Sequence, residues 1–314
     1  MKKILVTGGA GFIGSHICEK LLDGDNYIYC LDNFYSSEKS NIKHLLKAKN
    51  FEHILHDIQK PIDIEIDEIY NLACPASPIH YQKDPLFTLN TCFIGTSNIL
   101  NLAKSNNAKV VHTSTSEVYG NPLISPQDET YQGNVNPVGI RACYDEGKRV
   151  AETLVYDFVR MHNLDIRVAR LFNTYGPKML PNDGRVVSNF IIQAIHSKPI
   201  TVYGDGSQTR SFCYVADMVR ALILLMELDL MPTSPINLGN PEERTIHNAA
   251  NFIIEKCMSN SIIEFHDLPS DDPLQRKPDI SMAISKLSWA PEVSFEDGLN
   301  NTIAYFKDYY GSNI

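Results

Sequence analysis

The sequence predicts an α/β fold in which helices cover a doubly wound parallel sheet. One observation supports this fold, and a second indicates how the chain is divided. Short β-branched or aromatic runs alternate with helix-length segments up to about residue 174, and this alternation is typical of parallel strands joined by right-handed crossovers. Beyond that point the strands become shorter and the alternation weakens. We therefore expect one domain over residues 1–174 and a smaller substrate-binding region over residues 175–314, with some later segments returning to the first domain.

The first predicted strand ends in a glycine-rich turn. Gly8, Gly11 and Gly14 form a Gly-x-x-Gly-x-x-Gly series between the apolar run of residues 4–6 and a helix. Such glycines allow a tight turn, close approach of the backbone to a pyrophosphate, and close packing of helix on strand. The pattern predicts a Rossmann-type dinucleotide site. The helix start adds two further predicted contacts, Phe12 and Ile13.

An acidic residue follows the second predicted strand. Residues 27–31 end at Asp32, 18 residues after Gly14. A carboxylate at this point accepts hydrogen bonds from the ribose hydroxyls of an adenosine and repels a 2′-phosphate. We therefore expect NAD rather than NADP, with Asn33 and Asp57 completing the adenosine site.

The remaining elements follow from strand and helix periodicity. Further strands are predicted at residues 51–56, 68–73, 109–114, 166–172, 200–203, 212–215 and 236–238, and helices at 86–105, 144–162, 185–197, 216–228 and 245–257. In the first of these helices, Leu89, Phe93, Thr96 and Leu100 are expected to share one face.

The helix of residues 144–162 has two apolar stripes, Val150/Leu154/Phe158 and Val155/Val159. A helix that is apolar on more than one side is either deeply buried or part of a subunit interface. We expect a homodimer that uses this helix and the helix of residues 86–105. Complete burial within one subunit is the alternative.

Tyr144 and Lys148 lie one helical turn apart and so share a helix face. A neighbouring ammonium favours the phenolate, so we expect Lys148 to lower the pKa of Tyr144 from its ordinary value of about 10. Tyr144 would then act as a general base toward an alcohol or sugar hydroxyl. The spacing alone is weak evidence, because Tyr35 and Lys39 repeat it.

Hydroxyl and carboxyl side chains follow the strand of residues 109–114. Thr115, Ser116 and Glu117 stand at its carboxyl end, where ligands of parallel sheets are usually held. The alternative is a loop whose hydroxyl groups only satisfy its own backbone.

Composition excludes several other classes of protein. A net charge of -9 argues against a general nucleic-acid binder. No apolar run approaches the roughly 18 residues of a membrane span, and the N-terminal run is too short for a signal peptide. We expect a cytoplasmic protein with reduced thiols and no metal site, because no Cys-x-x-Cys pair occurs among its seven scattered cysteines. They are Cys18, Cys30, Cys74, Cys92, Cys143, Cys213 and Cys257.

Longer segments carry a family resemblance. They are residues 72–78 with Tyr81-Gln82, then 114–120, 134–149, 171–177, 183–190, 208–212 and 276–280. With the glycine turn, they make the chain similar over essentially its full length to the extended short-chain dehydrogenase/reductase family of nucleotide-sugar epimerases and dehydratases. Within that family it most resembles the enzymes that decarboxylate UDP-glucuronate.

The resemblance implies that NAD-dependent decarboxylation converts UDP-glucuronate to UDP-xylose through a 4-keto intermediate, with NAD regenerated. Tyr144, assisted by Lys148, would take the proton of the C4 hydroxyl, and Thr115 would hydrogen-bond the C4 oxygen. Glu117 would orient the substrate and manage protons, and Arg276 would meet the carboxylate. The other implied substrate contacts are Pro75, Ser116, Asn173, Tyr203 and Gln208, with Arg185 and Arg210 on the diphosphate.

Local residues distinguish the related reactions. A 4,6-dehydratase of this family has an aspartate where Ser116 stands, and a 4-epimerase generally lacks the glutamate that corresponds to Glu117. An oxidative decarboxylase that releases the UDP-4-keto pentose and NADH would share nearly all of these residues. A non-catalytic NAD-binding sensor fits poorly with an intact Thr115, Tyr144 and Lys148. One departure from the family is Gln132, where an aromatic residue is common.

Overall fold

The computed structural model describes residues 1–181, 183–268 and 275–311. Its strands are β1 (Lys2–Thr7), β2 (Asn26–Asp32), β3 (Phe51–Leu55), β4 (Glu68–Asn71), β5 (Lys109–Thr115), β6 (Ile166–Leu171), β7 (Thr174–Tyr175), β8 (Ile200–Tyr203), β9 (Thr209–Ser211), β10 (Cys213–Tyr214), β11 (Ile236–Leu238), β12 (Glu243–Thr245), β13 (Ile263–His266) and β14 (Gln275–Arg276). Its α-helices are α1 (Phe12–Leu22), α2 (Pro78–Tyr81), α3 (Pro85–Asn90), α4 (Thr96–Asn106), α5 (Ala142–His162), α6 (Val186–Ile195), α7 (Val215–Glu227), α8 (Ile246–Cys257), α9 (Ser281–Leu287) and α10 (Phe295–Gly311).

The main sheet has seven strands in the order β11-β6-β5-β4-β1-β2-β3, and every pairing in it is parallel. The predicted α/β fold is therefore confirmed. The chain runs outward from β1 to β3 and then resumes at β4 on the other side of β1. Ligands of doubly wound sheets bind at the carboxyl ends of the strands at such a reversal.

Alternate side chains of the strands point to two separate cores. Val6 packs in the cluster that contains Ile17 of α1 and Met218 of α7. Its neighbour Leu5 packs instead with Ile99 of α4 and, through the same cluster, with α5. Because both faces are covered, the strands are apolar on both sides, which is typical of parallel sheets.

A third core lies among later elements. Its buried side chains come mainly from α6, α8 and α10, and include Ile191, Ile253 and Leu299. However, β11 pairs with β6 in the main sheet, so the polypeptide returns to the sheet after residue 174. The division of the chain at that residue stays a prediction.

The prediction that Leu89, Phe93, Thr96 and Leu100 share one face of a helix is wrong. Thr91–Gly95 form a π-helical turn between α3 and α4, and an added residue per turn rotates everything that follows. As a result Leu89 and Phe93 are exposed, whereas Thr96 and Leu100 are buried.

Candidate active site

A cavity of about 650 Å³ opens at the carboxyl ends of β1, β4 and β5, at the reversal of the sheet. Every residue predicted from the sequence to bind cofactor or substrate lines it. On the cofactor side these are Gly8, Gly11, Phe12, Ile13, Gly14, Asp32, Asn33 and Asp57; at the centre Thr115, Ser116, Glu117, Tyr144 and Lys148; and on the far side Pro75, Asn173, Arg185, Tyr203, Gln208, Arg210 and Arg276. The individual roles of these residues stay predictions. Gln132 is not among the described residues that line the cavity.

The glycine turn leaves no room for side chains. Gly8 has a φ of +66°, and a Cβ at Gly14 would lie 2.2 Å from the carbonyl oxygen of Gly8. The Gly11 amide donates to that same oxygen at 3.0 Å. The backbone is thereby bent tightly into α1, whose first amides face the cavity region where a pyrophosphate would be held. This arrangement fits a dinucleotide.

Asp32 is held firmly at the end of β2. One carboxylate oxygen accepts from the Ala10 amide at 3.0 Å, and the other accepts from the Phe34 amide at 2.8 Å and the Ser37 hydroxyl at 2.7 Å. Nearby, the side-chain amide of Asn33 donates to Asp57 at 3.2 Å. These contacts fix a negative charge beside the glycine turn, which suits the free ribose hydroxyls of NAD.

Tyr144 lies in the first turn of α5 at the centre of the cavity. Its ring stacks on Tyr81, with ring centroids 5.0 Å apart and planes 5° apart. Burial raises the pKa of Tyr144 well above its ordinary value, and Cys74 adds to this, while the Thr115 hydroxyl acts in the opposite direction. The phenol is therefore protonated in the ligand-free protein.

The expected lowering of the Tyr144 pKa by Lys148 is thus wrong for the protein alone. The Lys148 ammonium is buried and donates to the carbonyl oxygen of Thr113 at 2.8 Å. Desolvation of the phenolate has the largest effect on the Tyr144 pKa, and Lys148 is not among the groups with the largest effects. The pair nevertheless lines the same cavity, as the spacing predicted.

Glu117 is clamped between two arginines. Arg141 donates to its Oε2 at 2.7 Å, and Arg276 donates to the same oxygen. Burial raises the pKa of Glu117, but the guanidinium groups of Arg276 and Arg141 outweigh burial, so that the net shift is downward. Glu117 is consequently an ionised carboxylate inside the cavity, and the three side chains form a compact charged cluster.

The pairing of two short strands brings distant arginines together. Strands β9 and β14 pair in parallel, so that Arg210 lies opposite Arg276. Both arginines are buried. Elsewhere on the rim, Arg185 donates to Asp183 through Nε at 2.6 Å and lies 5.3 Å over the ring of Phe12. The rim therefore carries several cations that suit a diphosphate.

Less charged side chains complete the nucleotide end of the cavity. Gln208 donates to the carbonyl oxygen of Tyr203 at 2.5 Å. Tyr203 is 48% exposed and lines the cavity, so that it is accessible to a ligand. Asn173 lines the wall immediately after β6.

The sequence analysis gave no role to three residues near Tyr144 and Glu117, namely Arg141, Asp145 and Tyr81. Arg141 precedes α5, Asp145 follows Tyr144, and Tyr81 ends α2. The Tyr81 hydroxyl is buried and has no hydrogen-bond partner among the described residues. The only available signal was local: Arg141 and Asp145 are four residues apart, which places them on one helix face.

The structure shows neither a membrane helix nor a metal cluster within its described ranges. No helix there is long and apolar enough to cross a bilayer. The same ranges contain no group of three or more His, Cys, Asp or Glu side chains arranged around a metal position.

A glycine turn, an aspartate at the end of β2 and a Tyr-Lys pair at one cavity define an NAD-binding enzyme of the Rossmann class. The chain belongs to the NAD dependent epimerase/dehydratase family, whose model matches residues 4–239. This agrees with the family resemblance found in the sequence.

Individual members of this family are similar to the chain over nearly its whole length. The chain is 51% identical to UDP-glucuronic acid decarboxylase 1 of Arabidopsis thaliana over 306 residues, which cover 98% of this chain and 70% of that protein. It is 52% identical to UDP-glucuronic acid decarboxylase 1 of Danio rerio over 305 residues, which cover 97% of this chain and 72% of that protein. A solved structure of UDP-glucuronic acid 4-epimerase from Bacillus cereus, in complex with UDP-glucuronic acid and NAD, superposes with a TM-score of 0.90 at 30% identity and covers 98% of this chain and 100% of that one.

Proposed function

We infer that this protein is an NAD-dependent decarboxylase that converts UDP-glucuronate to UDP-xylose through a 4-keto intermediate and regenerates NAD. Relatives about half identical over nearly the whole chain bear the name UDP-glucuronic acid decarboxylase. The single structural observation that carries the inference is the cluster of Glu117 between Arg141 and Arg276 beside Tyr144. This cluster offers cations for a substrate carboxylate next to a phenol for its C4 hydroxyl.

NAD fits the residues present. Gly8, Gly11 and Gly14 would hold the pyrophosphate, and Asp32 the adenosine ribose. Lys148 would hold the nicotinamide ribose, because its ammonium lies in the cavity beside β5. When bound, NAD accepts hydride from C4 of the sugar and later returns it.

Tyr144 and Thr115 act on the C4 oxygen. The Thr115 hydroxyl favours the phenolate form of Tyr144, and both side chains line the cavity, so that they can act on one ligand oxygen. The positive charge of bound NAD, together with Lys148, would favour release of the phenol proton to solvent. The resulting phenolate would take the proton of the C4 hydroxyl as C4 becomes a carbonyl, and Thr115 would stabilise the oxygen that remains.

The decarboxylation step uses the charged cluster. A 4-keto glucuronate is a β-keto acid, so its carboxyl carbon can leave as carbon dioxide while the electron pair moves into the C4 carbonyl. Arg276 orients the carboxylate before it leaves, since a planar guanidinium matches a carboxylate. Glu117 positions Arg276 and handles protons at the sugar, and Ser116 contacts the ring. A proton at C5 then completes the pentose.

The diphosphate and uridine occupy the far side of the cavity. Arg185 and Arg210 supply charge for the two phosphates. The remaining wall of this subsite is formed by Pro75, Asn173, Tyr203 and Gln208.

The main rival is epimerisation of the same substrate, because a structural relative that is 30% identical is a UDP-glucuronic acid 4-epimerase. The test is to incubate the protein with UDP-glucuronate and NAD and follow carbon dioxide and NADH absorbance together. Carbon dioxide without lasting NADH is the expected result. Equal amounts of both would indicate an oxidative decarboxylase that releases the keto sugar, and an isomeric sugar acid without carbon dioxide would indicate an epimerase.

We also propose a homodimer. Its interface would be formed by α5 and the α3–α4 segment, where Leu86, Leu89, Phe93 and Val150 are exposed. Light scattering should give a dimer mass at micromolar concentration, and Phe93→Asp should shift it toward the monomer. Leu230→Asp, at an exposed apolar residue elsewhere, should leave the mass unchanged. A monomer mass for the unaltered protein would contradict the proposal.

A cytoplasmic location remains a further proposal. The seven cysteines are free thiols in the structure, which suits a reducing compartment. Cell fractionation would test it, and recovery of the protein in a secretory compartment would contradict it.

A further inference from the structure

Two thiol groups meet at the edge of the cavity and have no part in the mechanism above. The Sγ atoms of Cys74 and Cys92 lie 3.4 Å apart. Cys74 follows β4 in a segment that lines the cavity together with Leu72, Ala73 and Pro75, and Cys92 lies in the π-helical turn before α4. The two cysteines are 18 residues apart in the chain, and the fold brings their sulfur atoms into contact.

Cys74 is the accessible member of this pair. It is partly buried, and it is the one cysteine among the described residues that line the cavity. The hydrogen bond with Cys92 and the Lys148 ammonium lower the pKa of the Cys74 thiol, although burial acts in the opposite direction. Oxidants react with an accessible thiolate. Cys92 is 2% exposed, so that its nearest reaction partner is the sulfur of Cys74.

Two other cysteines provide a contrast within the same chain. Cys18 and Cys30 pack around Gly9, where an added Cβ would lie 3.3 Å from the first Sγ and 2.7 Å from the second. Both are fully buried, and neither is among the described residues that line the cavity. Access from the cavity therefore distinguishes Cys74 and Cys92 from these thiols.

We propose that Cys74 and Cys92 are a modification site, which a hydroperoxide oxidises to a disulfide that inactivates the protein until a thiol reduces it. The Cys74 thiolate attacks one peroxide oxygen, the O–O bond breaks, and the departing oxygen takes a proton and leaves as water or an alcohol. The Cys92 sulfur then attacks the sulfenic acid of Cys74. The S–S bond forms, the S–O bond breaks, and the hydroxyl group leaves as water with the Cys92 proton. The two cysteines lose two electrons, which the peroxide gains.

The disulfide would disturb the groups that act on the sugar. A disulfide bond is about 2.05 Å long, so the two sulfur atoms must approach each other by roughly 1.3 Å. Cys92 packs against Gly147 of α5, where an added Cβ would lie 3.1 Å from its Sγ. The movement therefore falls on the cavity wall at residues 72–75 or on the helix turn between Tyr144 and Lys148. A displacement of about 1 Å can reduce the rate of catalysis about 10²-fold.

The test maps disulfides in the oxidised protein. The NAD-loaded protein is reduced, freed of thiol reagent and treated with equimolar hydrogen peroxide. Its remaining thiols are then alkylated in denaturant before digestion with trypsin, which cleaves after Lys83 and so separates the two cysteines.

The expected product is a linked pair of peptides that contain Cys74 and Cys92. Its mass should be about 2 Da below the sum of the two thiol peptides, because two hydrogens are lost. Cys18 and Cys30 should be recovered as alkylated thiols. Recovery of Cys74 as a thiol, or its linkage to Cys143, would overturn the proposal.

Two variants assign the roles of the sulfur atoms. In Cys92→Ala no disulfide should form, and Cys74 should instead be trapped as its sulfenic acid by a 1,3-diketone. Cys143→Ser, at a partly buried cysteine whose Sγ donates to the Tyr81 carbonyl oxygen, should form the same disulfide as the unaltered protein. The peptide map of the unaltered protein tests the site even where Cys92→Ala fails to fold.

Activity measurements test the inactivation. Conversion of UDP-glucuronate should fall about 10- to 100-fold on oxidation and return with dithiothreitol. A disulfide without loss of activity, or a loss that dithiothreitol does not reverse, would contradict the control of activity. The peptide map requires no turnover, so linked peptides in a protein that never converts UDP-glucuronate would contradict the proposed function and its control, but not the modification site.

Discussion

The ammonium group of Lys148 donates a 2.8 Å hydrogen bond to the carbonyl oxygen of Thr113, near the carboxyl end of β5. This contact ties the first turns of α5 to the strand that carries Thr115. The Tyr144 phenol, one turn before Lys148, is thereby held next to the Thr115 hydroxyl. The geometry of the reacting groups depends on this connection between a helix and a strand.

Removal of the Tyr144 hydroxyl should abolish turnover without loss of cofactor. Tyr144→Phe keeps the ring that stacks on Tyr81 but removes the proton acceptor, and general-base catalysis typically contributes about 10²- to 10⁴-fold. We expect kcat to fall by that factor while the Kd for NAD stays unchanged. Tyr156→Phe, further along α5, is the matched control. Full activity in Tyr144→Phe would disprove the proposed role.

Arg276→Lys should separate acidic from neutral ligands. Lysine keeps the charge but loses the planar fork that matches a carboxylate. A charged hydrogen bond contributes about 1.5–3 kcal/mol, so kcat/KM for UDP-glucuronate should fall roughly 10- to 100-fold. The affinity for UDP-xylose should change little. Equal losses for both ligands would show that Arg276 does not meet the carboxylate. Arg244→Lys, which pairs with Glu242, is the control.

Gly14→Ala should disrupt the cofactor site. The new Cβ would lie 2.2 Å from the Gly8 carbonyl oxygen, so the turn must move, at a cost of about 1–3 kcal/mol. We expect a lower Tm and weaker NAD binding by calorimetry. Gly24→Ala is a milder control, because the closest contact of its Cβ would be the end of the Asn26 side chain at 2.9 Å. Unchanged NAD affinity in Gly14→Ala would contradict the assigned pyrophosphate site.

His112 should make the protein sensitive to acid. Burial, together with a smaller effect of Lys148, lowers the pKa of His112 to about 3. In the unfolded chain the histidine binds a proton near pH 6.5, whereas in the folded protein it does not until about pH 3, so stability falls as the pH drops through this interval. The loss is about 1.4 kcal/mol per pH unit.

The measurement is the free energy of unfolding between pH 6 and pH 4, at fixed NAD concentration. His112→Gln should remove this part of the slope, and His196→Gln, at an exposed position, should not. An unchanged slope in His112→Gln would show that another group causes the acid sensitivity.

The cofactor half of the site could be predicted because its signals are local. The three glycines and Asp32 lie on consecutive elements. The glycines predict a tight turn before a helix, and Asp32 predicts a ribose site at the end of the next strand. The helix α10 was not predicted, although Phe295, Leu299, Ile303 and Phe306 recur at helical spacing and are all buried. The strands missed between residues 174 and 276 are two to four residues long, too short to show a period.

Other features depend on the fold and could not be predicted in this way. Arg276 and Glu117 are 159 residues apart in the chain, and only the pairing of β9 with β14 brings Arg276 to the cavity. The π-helical turn separates Leu89 and Phe93 from the helix face that carries Thr96 and Leu100. The Tyr144 pKa was predicted in the wrong direction because sequence shows a nearby charge but not the depth of burial.

The most direct test of the central claim uses UDP-glucuronate that carries deuterium at C4, turned over with unlabelled NAD. Hydride that leaves C4 and returns to it should give UDP-xylose with deuterium retained at C4, together with carbon dioxide and an unlabelled cofactor. Deuterium that accumulates in NADH, or an isomeric UDP-hexuronate formed without carbon dioxide, would contradict the account.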